Sequence, residues 1–350
     1  MRLGCVVYGS PEQLSGGYRY DRELLRCARI RGHTAEFISI YPGSGFDSAG
    51  LEVYDILLID ELCHPDFIPG DGMPVCVGIV HHLAVDEELS FPSKLRHRRQ
   101  ERHFLQVLDA HIFNSRATRR SAEKLCGKPL EGLVVYPGRE ELPCRQDSPP
   151  SATDGLSILS VGNLIPRKGI HRVLMALARC AGTEKNLPPW RYRIVGAESD
   201  PQYAARLRRL AGRPELAGKV EFCGRLTDIE LCEAYRGADV FCLPSDYEGF
   251  GIVYLEALGA GCVGIASASG GAEEIIDSGK NGFLVSPKNI RALSNLLADL
   301  LRDSPRRKDI SREARRRWKT FDSWEQSMTH GIEWLESFAV ARSSPGKAPG

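Results

Sequence analysis

The chain has 350 residues, 42% of them apolar and 26% charged, with 46 Lys and Arg against 45 Asp and Glu. Those values exclude a disordered chain, a collagen-like repeat and a coiled coil. A formal net charge of +1 gives no overall electrostatic case for a nucleic-acid partner.

The first residues, MRLGCVVYG, enter an apolar β-like run without the basic region and cleavage site of a secretory signal, which predicts a cytoplasmic protein. No 18-residue uncharged apolar window exists. The nearest, Gly251 to Ala272, contains Glu256. The eleven cysteines are never closer than nine positions. They read as small buried hydrophobes in a reducing compartment, not as disulfides or a zinc site.

Along the chain, short β-branched runs alternate with segments of helical period. LGCVVYG (3–9), AEFISI (35–40), YDILLID (54–60), PVCVGIV (74–80), AHIFNS (110–115) and LVVYP (133–137) predict six strands, with helices over 18–30 and 92–108. That is the βαβ pattern of a parallel sheet buried on both faces. Residues 140–154, rich in Pro, Ser and Asp, read as a linker. The alternation restarts with LSILSVG (156–162), RYRIVG (191–196), KVEFCG (219–224), ADVFCLP (238–244), CVGIA (262–266) and GFLVSP (282–287). From Ile290 to about Ala339 the pattern is helical, and the tail 341–350 reads as disordered.

The predicted class is therefore α/β, with two Rossmann-like, doubly wound parallel-sheet domains facing across a cleft. The domains are set at 1–147 and 148–320, with a C-terminal helix over 321–340 packing back on the first. Ligands bind outside the carboxyl ends of such strands, so the strand-to-helix loops are where chemistry is expected.

The most informative loop is SDYEGFGIVYLEALGAG (245–261). Gly249 and Gly251 remove Cβ atoms ahead of a helix, and the amides of Phe250, Gly251 and Ile252 would face an anion there, with phosphate the expected guest. Glu248 and Glu256 stand in an E-x7-E spacing. Glu256 lies in an otherwise apolar helix, where a sugar diol or a structural Arg would satisfy it. The second loop, SVGNLIPRKGIHRVL (160–174), carries Arg167 and Lys168, suited to a diphosphate as fork and point charge, or else a solvated basic turn. Paired Gly16 and Gly17 lie in a loop after the first strand, and His81 and His82 end the fourth. Either histidine is structural or one of them hydrogen-bonds a reacting sugar.

Some patterns mislead. Gly259-Ala260-Gly261-Cys262-Val263-Gly264 matches G-x-G-x-x-G, but it leaves a helix and enters a strand, the reverse of a dinucleotide site. No P-loop motif exists. Asp246-Tyr247-Glu248 looks like a metal-binding acidic pair but sits in the amide-rich loop, so no metal site is predicted. The basic run KLRHRRQERH (94–103), with Arg116, Arg119 and Arg120 beyond, reads as a solvated helix face or as a patch touching the inner membrane surface. The aromatic interleaving that nucleic acid needs is missing.

EGFGIVYLEA with its E-x7-E spacing, VGNLIPRKG, and GGAEEIIDSGKNGFLV (270–285) together resemble the family-4 retaining glycosyltransferases of the GT-B fold, glycosyl transferases group 1. SGGYRYDRELLRCARIRGH (15–33), IVHHL (79–83) and IFNSRATRR (112–120) fit the same family more loosely. The resemblance implies a donor substrate that is a UDP-, GDP- or ADP-sugar, no cofactor, and an unidentified acceptor in glycan or glycolipid synthesis. It places Glu256 on the ribose hydroxyls and Glu248 on the transferred sugar, beside the amides of Phe250, Gly251 and Ile252. It places Arg167 and Lys168 on the diphosphate, Gly16 and Gly17 near the phosphates and acceptor, and His81 near the sugar. Glu274 also falls in a family position. Many members carry an Arg directly after the glycine of this turn, where this chain has Asn163, so one phosphate-facing cation is lost. The asparagine-glycine ending usual before the linker is changed to Tyr136-Pro137-Gly138. A sugar-nucleotide epimerase or phosphorylase, or a catalytically weak sugar-nucleotide-binding subunit, are the alternatives.

Overall fold

The computed structural model describes residues 1–43, 49–67, 69–70, 72–87, 91–140, 155–184 and 186–343. The elements run β1 (Arg2–Tyr8), α1 (Gly16–Ile30), β2 (Thr34–Ile40), β3 (Ile56–Asp60), β4 (Val75–Val80), α2 (Phe91–Val107), β5 (Ala110–Phe113), α3 (Arg116–Cys126) and β6 (Gly132–Val134). They continue with β7 (Leu156–Val161), α4 (Ile170–Thr183), β8 (Trp190–Val195), α5 (Pro201–Ala211), β9 (Val220–Gly224), α6 (Asp228–Arg236) and β10 (Val240–Leu243). The last are α7 (Ile252–Ala260), β11 (Val263–Ser267), α8 (Ala272–Ile275), β12 (Gly282–Val285), α9 (Ile290–Arg302), α10 (Ser304–Trp318) and α11 (Trp324–Ser343).

The chain divides into two compact units. The first is Met1–Gly138 together with the segment from Asp322, and the second is Arg139–Phe321. Each holds one six-stranded sheet, in the order β2-β1-β3-β4-β5-β6 and β12-β11-β10-β7-β8-β9. All the pairings are parallel. Each strand run read from the sequence is found as a strand. β3 and β10 are buried at every residue, because helices cover both faces of a parallel sheet and alternation disappears. β6 is shorter than the expected 133–137. Val135 still donates to the Phe113 carbonyl, but Pro137 has no N–H to continue the ladder.

In the first unit, Val6, Leu57, Ile59, Val80, Phe104 and Phe113 form the centre of the core. Helix α1 buries Tyr20, Leu24, Leu25 and Ala28 at helical spacing. It starts at Gly16, two residues before the expected start at Tyr18, because Ser15 caps it by accepting from the Tyr18 amide. Gly16 and Gly17 therefore form its first turn and not the loop before it. Helix α11 packs along α1, with Glu336 Oε1 accepting from His33 Nε2 at 2.7 Å and Thr329 meeting Cys27.

The boundary falls at 138/139, where the sequence suggested 147/148. Gly138 lies so close to the Trp324 backbone that a side chain would have no room, while Arg139 Nε donates to the Phe321 carbonyl at 2.9 Å. The expected C-terminal helix 321–340 begins at Trp324 and runs to Ser343, so residues 341–343, read from the sequence as disordered, continue the helix. Residues 141–154 of the expected linker and 344–350 of the expected tail lie outside the described residues.

Among the described residues the ten cysteines form no disulfide, and nine are buried. Among the described residues, no helix is long and apolar enough to cross a membrane.

Candidate active site

Helix α7 begins where β10 has ended and the chain has turned through Ser245 to Gly251. Gly251 is the N-cap, with φ of 94°, and no side chain caps the helix. A Cβ there would stand 2.5 Å from Tyr254 Cδ2 in a backbone conformation that L residues avoid, so the turn requires glycine. The positive end of α7 is accordingly formed by main-chain amides without a competing carboxylate cap.

The Arg167–Lys168 turn, a single 3-10 turn between β7 and α4, is tied to this loop along its length. The Asp246 amide donates to the Arg167 carbonyl at 2.8 Å, and Arg167 Nη1 donates to the Tyr247 carbonyl at 3.1 Å. Lys168 Nζ donates to Glu248 Oε1 at 2.7 Å, and Arg167 Nη1 lies 3.9 Å from Glu248 Oε2. Behind them Arg172 from α4 donates to the Pro244 carbonyl and pairs with Asp246 at 2.5 Å. The second unit thus brings together Arg167, Lys168, Glu248 and the start of α7.

Glu248 is 7% exposed. Burial alone would raise its pKa, but the Lys168 ammonium, the Arg167 guanidinium and the Ser245 hydroxyl outweigh it, and the carboxyl is held below the ordinary value. Glu248 is therefore a carboxylate at neutral pH, and with Arg167 and Lys168 it leaves one net positive charge at the mouth of the loop. The sequence reading treated both cations as available to phosphate. The structure shows that they share a carboxylate, which fixes their positions while taking up part of their charge.

Glu256 sits half-buried on α7 and accepts from the Tyr235 hydroxyl of α6 at 2.9 Å. A phenol is thus among its partners from the chain. Glu274 lies on α8, whose Gly270–Gly271 entry is pressed onto the Glu248–Phe250 backbone. The Gly271 amide donates to the Glu248 carbonyl at 2.8 Å. Gly270, at φ 76°, leaves no room for a Cβ against that same carbonyl. Arg317 of α10 donates to the Glu274 carbonyl at 2.6 Å. Asn163 is half-buried in the turn after β7, and Gly162 before it donates to the Val195 carbonyl.

The first unit carries a second group. His81 directly follows β4 and is 8% exposed. Its Nε2 lies 3.0 Å from Asp21 Oδ1, and its amide donates to Glu61 Oε2 at 2.8 Å. Gly17 faces the ring edge: a Cβ there would stand 3.1 Å from His81 Cδ2. His82 instead pairs with Glu87 at 2.9 Å. Gly16, Gly17 and His81 are brought together in this unit, whereas the remaining candidates are all in the other.

Sequence reasoning missed Asp21, Asp60, Glu61, Tyr235 and Ser245. Asp21 had a signal, since it falls on the apolar face of α1 between Tyr18 and Leu25, where an ionisable residue needs a reason. Asp60 and Glu61 end the apolar run of β3, a place where ligands meet parallel strands. Glu101, counted with the solvated basic run, is buried and caps the Ala84 and Val85 amides, while Lys94, Arg96, Arg98, Arg99 and Arg102 are exposed.

Residues 145–317 match the family described as glycosyl transferases group 1. A GDP-mannose-dependent α-(1-6)-phosphatidylinositol monomannoside mannosyltransferase of Mycolicibacterium smegmatis is 34% identical over 194 residues, covering 53% of this chain and 48% of that protein. The Arabidopsis thaliana sulfoquinovosyl transferase is 35% identical over 147 residues, covering 41% of this chain and 27% of that one. The chain spans about half the length of the first of these curated relatives. Among solved structures, Anabaena HepE in complex with UDP and glucose superposes with a TM-score of 0.80 at 20% identity, covering 96% of this chain and 100% of that one. Sucrose-phosphate synthase from Thermosynechococcus elongatus gives 0.78 at 20% identity, covering 97% and 99%. These two likenesses concern the fold. The second unit is matched to the glycosyl transferases group 1 family over residues 145–317, and the architecture, matched over nearly the whole chain, is the GT-B fold.

Proposed function

We propose that the chain transfers a sugar from a nucleoside-diphosphate donor to an acceptor hydroxyl, with retention of anomeric configuration and without a metal ion. One observation carries the reading: Arg167 and Lys168 are bound side by side to the glycine loop that opens α7, so cations and main-chain amides converge at the carboxyl ends of β7 and β10. When the bond from the sugar to the β-phosphate breaks, negative charge grows on that phosphate. Donors already fixed in place stabilise it without reorganising. Lys168 supplies a point charge and Arg167 a planar fork.

Glu256 is assigned to the ribose hydroxyls. A carboxylate has about four acceptor positions and a diol brings two donors. Glu248 is assigned to the transferred sugar, Glu274 to the same loop, His81 to the sugar, and Gly16 and Gly17 to the phosphates and acceptor. In the retaining mechanism the departing phosphate itself takes the acceptor proton on the same face, so no dedicated carboxylate base is assigned. Contact of the α2 basic face with the inner membrane surface belongs to the same proposal.

A donor screen by ligand-induced thermal shift tests the reading, with GDP- and UDP-sugars first because the relatives and neighbours are named for them. A cognate donor at 100 times its Kd should stabilise the protein by about 2.7 kcal/mol. Glu256→Ala should weaken that donor at least about tenfold with the unliganded melting temperature nearly unchanged, and transfer should persist in EDTA. No shift with any nucleotide sugar, or complete loss of transfer under chelation, contradicts the proposal.

A further inference from the structure

Three carboxyl groups surround His81 in the first unit. Asp21 (0% exposed) comes from α1, and Asp60 (1% exposed) and the buried Glu61 from the end of β3. Asp21 Oδ2 and Asp60 Oδ2 are both buried without a hydrogen-bond partner, and among the described residues no Lys or Arg pairs with any of the three. Glu61 is committed to main chain, accepting from the His81 and His82 amides. Asp60 Oδ1 accepts from the Leu62 amide. The other titratable groups beside the cluster are Tyr18 and Tyr20 on α1, Cys5 on β1, and Cys63. Burial, with the nearby carboxylates, pushes each of these upward, so all four are neutral at physiological pH. Beyond Glu61 lie the His82 ring, paired with Glu87, and the Glu101 carboxyl, so His81 is the imidazole that meets Asp21.

The geometry fixes how it does so. An ionised carboxylate only accepts hydrogen bonds, so the 3.0 Å contact from Asp21 Oδ1 places a proton on His81 Nε2. Tyr20 meets the ring edge-on at 5.1 Å between centroids, and Gly17 closes the Cδ2 side. Asn114 Nδ2 donates to the His81 carbonyl at 2.9 Å and holds the backbone from the other direction. With Nε2 so engaged, Nδ1 is the nitrogen left for a ligand.

We propose that Asp21 is a positioning residue that holds His81 as an imidazolium, with Nε2–H committed to the carboxylate and Nδ1–H offered to an oxygen of a bound ligand. His81 is then a cationic donor and cannot serve as a general base. Burial would disfavour the charged ring, but Asp21, with Glu61 and Asp60 behind it, overrides this and carries its pKa up to about 10. That the ligand oxygen belongs to a transferred sugar rests on the proposed function; the charge state of the ring does not.

The test is a pH titration of the full-length chain labelled with ¹³C and ¹⁵N histidine, run first without and then with EDTA, with the His81 signal assigned by its loss in His81→Gln. In the wild type the ring should carry both protons throughout pH 6–8.5. In Asp21→Asn it should titrate near the ordinary histidine value of about 6.5 or below, while Asp21→Glu should restore part of the upward shift. A wild-type ring that is singly protonated at pH 7.5 overturns the proposal, whether or not either variant folds. So does a signal that is neutral until EDTA strips a bound cation, since Asp21, Asp60 and His81 could also gather one. Because no substrate is present, failure of the transferase reading leaves this result intact, and the reverse also holds.

Discussion

Replacing Lys168 with alanine should lower kcat for sugar transfer by roughly 10²–10³-fold, the range seen when one preorganised donor to a developing oxyanion is removed. Lys168 Nζ is 2.7 Å from Glu248 Oε1 at the opening of α7, and the Asn163 position supplies no further cation to share the task. The variant also leaves the buried Glu248 with Ser245 and the more distant Arg167, so its carboxyl pKa should rise toward and above the ordinary value. Lys168→Ala combined with Glu248→Gln, compared with Glu248→Gln alone, separates the two effects. If lost positive charge at the phosphate is the cause, the double variant is slower than Glu248→Gln by a similar factor. If the cause is a misplaced carboxylate, the two are equally active. A kcat within threefold of the wild type for Lys168→Ala, with an unchanged melting temperature, would remove this residue from the chemistry.

Gly270→Ala carries the largest structural effect we expect. At φ 76° an L side chain costs about 1–2 kcal/mol by itself. Here its Cβ would also be driven into the Glu248 carbonyl, which already accepts from the Gly271 amide. The loop from Glu248 to Gly251 must move, and a total near 3 kcal/mol would lower the melting temperature of a unit this size by about 6–12 °C. Gly279→Ala is the matched control. Its φ is 85°, but nothing lies within 4 Å of the built Cβ, so it bears only the backbone cost. Its drop should be no more than about half as large, with donor-induced stabilisation retained. Equal drops in the two variants would show that the pressed contact at Gly270 contributes nothing.

The strands were legible because a sheet covered on both faces demands continuous apolar runs, and YDILLID or ADVFCLP can do little else. Helix starts were read less well where a cap and not periodicity decides. Ser15 begins α1 at Gly16, and Asp303 caps α10 and splits the C-terminal helical stretch by accepting from the Arg306 amide. In the site, Arg167, Lys168, Glu248 and Gly251 could be gathered from spacing alone because they lie on two short loops that leave neighbouring strands. Their mutual neutralisation could not, since a hydrogen bond between residues 80 apart has no sequence signature. Asp21 was hidden for the opposite reason: a helix face with Tyr18, Tyr20, Leu24 and Leu25 reads as core, and only the fold reveals that His81 arrives beside it.

The central claim is that Arg167, Lys168 and the N-terminal amides of α7 together hold a pyrophosphoryl group. Calorimetric dissociation constants of the nucleoside diphosphate and monophosphate of one base, compared between the wild type and the Arg167→Ala/Lys168→Ala double variant, test it most directly. The account predicts that the wild type binds the diphosphate at least about tenfold tighter, a difference of about 1.4 kcal/mol, and that the gap closes in the double variant. A gap of the same size in both proteins would contradict it.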